Sequence, residues 1–192
     1  MERAEGQPLR TFIAIELPDA VKEALLMLSG RLRRSGVRAS WVKPDAMHLT
    51  LRFLGEIPAE DAARIADFLA GRYQGLTPFE VHVSGTGAFP SVKRPSVVWA
   101  GAGPFEGPFV QAQAIAEEAA CAIGLPREKR PFHPHLTLAR VKEEQSAPRL
   151  TAYLARENEF RAGSFLATSV SLFSSQLTPQ GALYDRLKEF VF

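Results

Sequence analysis

The chain has 192 residues, 46% of them apolar and 23% charged, the make-up of an ordinary globular protein with material for a good core. No apolar run approaches the roughly 20 residues of a membrane-spanning helix, which excludes a helical membrane protein, and the first ten residues lack the apolar stretch of a secretory leader. A net charge of +2 is too small for a general nucleic-acid coating protein, and the single cysteine, Cys121, excludes a disulfide framework; the cytoplasm is the expected compartment.

Residues 10–16 (RTFIAIE) alternate as a first strand, with Phe12 and Ala14 on one face and Ile13 and Ile15 on the other. Pro18 and Asp19 open a helix, since proline tolerates the first turn and aspartate accepts the free N–H groups there. Val21, Leu25, Leu28 and Leu32 form its buried stripe, and Gly36 ends it. A short strand is expected at 38–42, a clear one at 47–54, and a helix at 59–73 with Ala62, Ile65, Phe68 and Leu69 inward. Strands at 79–84 and 96–100 flank a turn-rich stretch, 85–95. An alanine-rich helix at 109–123 stops at Gly124 and Pro126, followed by a strand at 135–141, a short helix at 149–156 and a long strand at 164–177. Turn chemistry at 178–181 returns the chain through 182–192. Several strand pairs are joined too tightly for crossover helices, and no low-complexity linker interrupts the chain. The expectation is an α+β fold with mainly antiparallel sheets, one domain over residues 1–192.

One tetrapeptide occurs twice, as His48-Leu49-Thr50-Leu51 and His135-Leu136-Thr137-Leu138, and uses two of only four histidines. Residues i and i+2 of a strand share a face. Each copy therefore sinks its leucines into a core and displays an imidazole beside a hydroxyl on the opposite side. A single such strand reads as half-buried, with its polar side in water. Two copies about half a chain apart read as one site built from two equivalent halves.

Two imidazoles and two hydroxyls without a carboxylate cluster suit in-line displacement at phosphorus. One histidine must be neutral to take a proton from the attacking oxygen, and the other protonated to give one to the leaving oxygen. An ordinary pKa of about 6.5 lets both forms coexist near neutrality. Threonine hydroxyls and nearby arginine can donate to the non-bridging oxygens. The scheme requires no metal and no cofactor.

The sequence resembles the two-histidine phosphoesterases, and within them the bacterial and archaeal RNA 2',3'-cyclic phosphodiesterases, also called 2'-5' RNA ligases. The resemblance rests on 10–15 (RTFIAI), 41–44 (WVKP), 48–56 (HLTLRFLGE) and 87–90 (GAFP). It continues through Arg94-Pro95, 99–101 (WAG), 130–140 (RPFHPHLTLAR) and 181–184 (GALY). It implies a bilobal, pseudo-twofold fold with one His-x-Thr strand per lobe facing a central cleft. It also implies hydrolysis of a terminal 2',3'-cyclic phosphate to a 2'-phosphate, so that the 3' oxygen leaves. His48 would then be the proton donor, His135 the proton acceptor, and Thr50 and Thr137 the phosphate-binding hydroxyls. The implied partner is RNA with 2',3'-cyclic phosphate ends, tRNA fragments among them, acted on by a monomer. Ligation to a 2'-5' linkage is a further implied activity. The alternative from another class is a module that binds RNA ends with little or no turnover.

Other residues divide between functional and ordinary readings. Arg52 shares strand parity with His48 and Thr50, so it either lines the cleft or faces solvent. Arg140 has the wrong parity for the His135 face unless a bulge intervenes, which favours Arg130 as the phosphate or RNA contact. Phe89, in a Gly- and Pro-bounded stretch near Arg94, could stack on a base or cap a core. His133 shares parity with His135 but lacks a third ligand for zinc, which leaves a structural role. His82 reads as surface, Cys121 as a small buried thiol, and Trp41 and Trp99 as core. Arginine outnumbers lysine 17 to 6, which codon bias explains, and a single asparagine, Asn158, hints at a thermophilic source.

Overall fold

The computed structural model describes residues 8–142, 147–178 and 181–192. The chain builds two antiparallel sheets, and it reaches each of them several times. Strand β1 (Leu9–Glu16) is the first, followed by helix α1 (Asp19–Arg33) and the short strand β2 (Ala39–Trp41). A single 3-10 turn, Pro44–Ala46, leads into β3 (His48–Ile57), the first His-x-Thr strand, and α2 (Ala59–Tyr73) follows. Then come the hairpin β4 (Phe79–Ser91) and β5 (Arg94–Gly103), helix α3 (Gly107–Ala122) and β6 (His135–Val141), the second His-x-Thr strand. Helix α4 (Ala147–Arg156), β7 (Arg161–Ala167), β8 (Ser169–Thr178) and β9 (Gly181–Val191) complete the chain.

One sheet has the order β3-β1-β8-β9 and the other β2-β6-β5-β4-β7. Helices α2 and α3 cover the first sheet, while α1 and α4 cover the second. The helix after β1 thus packs on the sheet that β1 does not belong to. The two lobes are interleaved in sequence rather than being its two halves. All four motif leucines, Leu49, Leu51, Leu136 and Leu138, are buried in one apolar core that draws on both sheets and all four helices. The α1 stripe of Val21, Leu25, Leu28 and Leu32 lies in the same core, where burial supplies most of a short helix's stability.

Beyond shifts of a few residues at element ends, the structure corrects two parts of the sequence reading. The 85–95 stretch is not a loop: β4 and β5 run through it as one long hairpin turning at Val92 and Lys93. Gly85 makes this feasible, because its φ of +70° accommodates the register shift between Ser84 and Thr86 that a side chain would resist. The expected strand at 164–177 is two strands, broken at Thr168, because the chain crosses there from the β4 edge of one sheet to β1 of the other. Of the expected 178–181 turn, positions 179 and 180 lie outside the described residues. Thr178 pairs with Gly181, and its Oγ1 donates to the Gly181 carbonyl at 2.7 Å.

Candidate active site

Strands β3 and β6 approach each other where the two sheets meet, and each begins on its histidine. His48 and Thr50 are half-buried while Leu49 and Leu51 are buried, and His135 and Thr137 repeat the pattern against Leu136 and Leu138. Each imidazole ties one nitrogen to the backbone carbonyl two residues upstream. His135 Nδ1 lies 2.7 Å from the His133 carbonyl, and His48 hydrogen-bonds the Ala46 carbonyl. A carbonyl can only accept, so the tied nitrogen of His135 carries the proton and Nε2 of the neutral ring is left as an acceptor.

The two rings differ in setting. His48 stacks on Phe12 with ring centroids 4.5 Å apart, and Tyr184 meets its face edge-on at 5.1 Å. Phe12 stacks in turn on Phe173 at 5.2 Å. This aromatic enclosure desolvates the imidazolium and pulls the His48 pKa down to about 4; the Ala46 carbonyl opposes the shift and the nearby charge of His135 adds to it. His135 meets Phe89 edge-on at 4.9 Å, and Trp99 packs on His133 at 4.8 Å. Burial also lowers the His135 pKa, against the His133 carbonyl and together with the charges of His133 and Arg140. His135 is near enough to His48 for its charge to act on that ring.

A β-bulge follows the threonine in both copies. Ala14 pairs with Thr50 and Ile13 with Arg52, so Leu51 is skipped; Trp99 pairs with Thr137 and Val98 with Ala139, so Leu138 is skipped. Each bulge reverses the parity downstream. It turns Arg52 toward α3, where Nε lies 3.1 Å from Glu117 Oε2 and Nη2 donates to the Pro126 carbonyl at 2.6 Å. The expectation that Arg52 lines the cleft or faces solvent is corrected on that ground. The same irregularity brings Phe53 and Arg140, each five residues after its histidine, to the strand faces that carry His48 and His135. Arg140 lies close enough to Tyr184 of the other sheet, and to His135, to act on both electrostatically. Arg130, the arginine favoured from parity, is instead 88% exposed, with its Nε 3.4 Å from Glu128 Oε1.

Among the other sequence candidates, Phe89 is half-buried against His133, His135 and Trp99, part of the wall behind the second histidine. Trp99 belongs to that wall rather than to the core alone, and Gly87 gives its indole room, since a Cβ there would collide with the ring. His133 contributes its carbonyl and its ring contact with Trp99, in keeping with a structural role. His82 is exposed beside Glu80, Cys121 is half-buried, and Trp41 is half-buried under the Arg33 guanidinium. Sequence reasoning missed Phe12, Phe173, Tyr184 and Arg10. The signal for Phe12 and Arg10 was present, as both share the parity of Glu16, which pairs with His48. Arg10 lies over the Phe53 ring at 4.5 Å.

A cavity of about 230 Å³ opens beside His48, between Phe12, Glu16, Lys22, Asp45, Tyr184 and Arg186. A larger open hollow of about 520 Å³, near Glu80, His82 and the start of α3, is lined by neither His48 nor His135. Among the described residues no three His, Cys, Asp or Glu side chains converge to hold a metal. No described helix is long and apolar enough to cross a membrane.

Two interleaved lobes, each carrying a His-x-Thr strand whose histidine is tied to the carbonyl two residues upstream, have the layout of a two-histidine phosphoesterase. The family model described as LigT like Phosphoesterase matches residues 15–99 and 103–184, and the chain belongs to that family. It is 36% identical over 166 residues to the RNA 2',3'-cyclic phosphodiesterase of Aeropyrum pernix, covering 86% of this chain and 93% of that one. Among solved structures it is similar to TT0787 of Thermus thermophilus, with a TM-score of 0.80 and 29% identity over 95% of this chain and 97% of that one. It is also similar to E. coli LigT complexed with 3'-AMP, with a TM-score of 0.75 and 26% identity over 97% and 99% of the two chains.

Proposed function

We propose that the protein hydrolyses the 2',3'-cyclic phosphate of an RNA end to a 2'-phosphate, with His48 as acid, His135 as base and no metal. The observation that carries this reading is the pair of imidazoles on facing strands, each with one nitrogen held by the carbonyl two residues upstream. Relatives that bear the name RNA 2',3'-cyclic phosphodiesterase support the substrate.

In the reaction, water gives a proton to His135 Nε2 as its oxygen bonds to phosphorus. The P–O3' bond breaks on the opposite side, and His48 gives its proton to O3'. Thr50, Thr137 and Arg140 donate to the non-bridging oxygens, whose negative charge is present throughout. In-line attack puts the leaving ribose on the side of the acid, where the cavity beside His48 offers an aromatic wall and a polar rim. A 5'-hydroxyl in place of water gives a 2'-5' linkage by the same steps.

The free protein holds His48 neutral at pH 7, since burial pulls its pKa to about 4. The acid proton must therefore arrive with the anion. A phosphate between the rings stabilises one imidazolium, and repulsion between the rings disfavours a second. The test is turnover of an oligoribonucleotide with a 2',3'-cyclic phosphate end in EDTA, for the native protein and for His48→Ala and His135→Ala. Each variant should be slower by ~10²–10⁴-fold or more. Native turnover lost in EDTA and restored by zinc or manganese overturns the metal-free scheme. Undiminished variants overturn the histidine pair.

A further inference from the structure

Arg52 stands two residues beyond Thr50, yet its side chain leaves the cleft for the opposite face of β3. It is 12% exposed and Glu117 is 10% exposed, so this is a desolvated pair, 3.1 Å apart. The guanidinium reaches three groups at once: Glu117 Oε2, the Pro126 carbonyl at 2.6 Å and Glu128 Oε2 at 3.9 Å. Glu117 accepts the backbone N–H of Glu128 on its other oxygen at 2.8 Å. Two side chains from one lobe thus grip residues 126–128.

That segment runs on through the exposed residues 129–131 to the second histidine and is anchored again just before it. Phe132 packs 4.9 Å from Phe105, and the Pro134 carbonyl accepts from Ala102 N–H at 3.2 Å. Between them lies the His133 carbonyl, the group that fixes the His135 ring. The geometry points to Arg52 as a positioning residue: with Glu117 it clasps the segment after α3 against β3 and thereby sets the carbonyl that orients His135. The first motif strand in this way governs the base supplied by the second. This assignment rests on the proposed reaction only for its kinetic consequence. Lysine should substitute poorly, because one ammonium cannot both pair with the Glu117 carboxylate and donate to the Pro126 carbonyl in the directions the guanidinium holds fixed.

The test compares Arg52→Met, Arg52→Lys and Glu117→Gln with the native protein in three readouts. These are kcat and KM on a cyclic-phosphate substrate, NMR titration of the His48 and His135 ring protons, and thermal unfolding. Arg52→Met should lower kcat by as much as ~10²-fold, the cost of a small misplacement of a catalytic group, with KM little changed. The His135 titration should move while that of His48 stays at its native position. Arg52→Lys should recover little. If Arg52→Met does not fold, Glu117→Gln carries the test, since it keeps the volume and an acceptor for Glu128 while removing the charge. Unchanged kcat and His135 titration overturn the clasp, as does an equal disturbance of both histidines in step with lost stability. A native protein without turnover would sink the proposed reaction alone, because the titrations judge the clasp without it.

Discussion

Phe12 shows how much one residue can set. Its ring covers His48 at 4.5 Å, and the cost of desolvating an imidazolium there leaves the free ring neutral down to a pH of about 4. An anion in the cleft reverses that balance, so binding should draw a proton from solvent. Sulfate, which does not titrate near neutrality, makes the point cleanly. Calorimetry at pH 7 in two buffers of different ionisation enthalpy should show proton uptake, and affinity should fall as pH rises. Sulfate binding without uptake would mean that neither imidazole becomes charged. The division of labour between the rings has its own readout. A substrate with a better leaving group at the 3' position should rescue His48→Ala more than His135→Ala, because only the acid serves that oxygen. Equal rescue, or preferential rescue of His135→Ala, would reverse the assignment of acid and base.

At the scale of a strand, the paired bulges decide which side chains meet. Period-two alternation correctly put His48 with Thr50 and His135 with Thr137, because neither motif is interrupted before its threonine. It failed two residues later, where Leu51 and Leu138 are skipped and the faces exchange. Both skipped leucines are buried, so nothing in the apolar pattern distinguishes a bulged strand from a regular one. Arg52 and Arg130 were candidates for that reason, whereas the bulges put Phe53 and Arg140 on the strand faces that carry the two histidines. The helices at 19–33 and 59–73 were legible from their apolar stripes, the first also from Pro18 and Asp19 at its start; the 85–95 hairpin was not, because its Gly and Pro sit inside a ladder. Replacing Arg140 with Gln should raise KM by roughly 10-fold or more, the worth of a charge-assisted hydrogen bond, and reduce the salt dependence of KM. Unchanged KM in Arg140→Gln would place that guanidinium away from the phosphate. Gly87→Ala should cost ~1–3 kcal/mol by driving the Trp99 indole off its seat, and should disturb the His133 and His135 rings that pack there. Unfolding curves and ring titrations identical to the native protein would show that the indole can move freely.

Across the whole molecule, the interleaved lobes make stability and site inseparable. Helices α1 and α3 each pack on the sheet opposite to the one that holds the strand before them, and one core spans both sheets. Unfolding should therefore be a single transition, with fluorescence and circular dichroism coincident; two separated transitions would show lobes that fold apart. The pH dependence follows from the histidines. Unfolded, each binds a proton near pH 6.5, while folded His48 resists one until about 4. The unfolded chain thus binds more protons in that window, so stability is full above about 6.5 and declines as pH falls toward 4, by as much as ~3 kcal/mol from His48. His48→Gln should flatten the decline in Tm between pH 7 and pH 5, and an unflattened decline would place its origin elsewhere. The reaction itself is tested most directly by mapping the end left on an oligoribonucleotide whose 2',3'-cyclic phosphate the protein has processed in EDTA. The paired-histidine site predicts a 2'-phosphate beside a free 3'-hydroxyl, absent when either His48 or His135 is alanine. A 3'-phosphate, or tight binding of that end with no turnover, would contradict it.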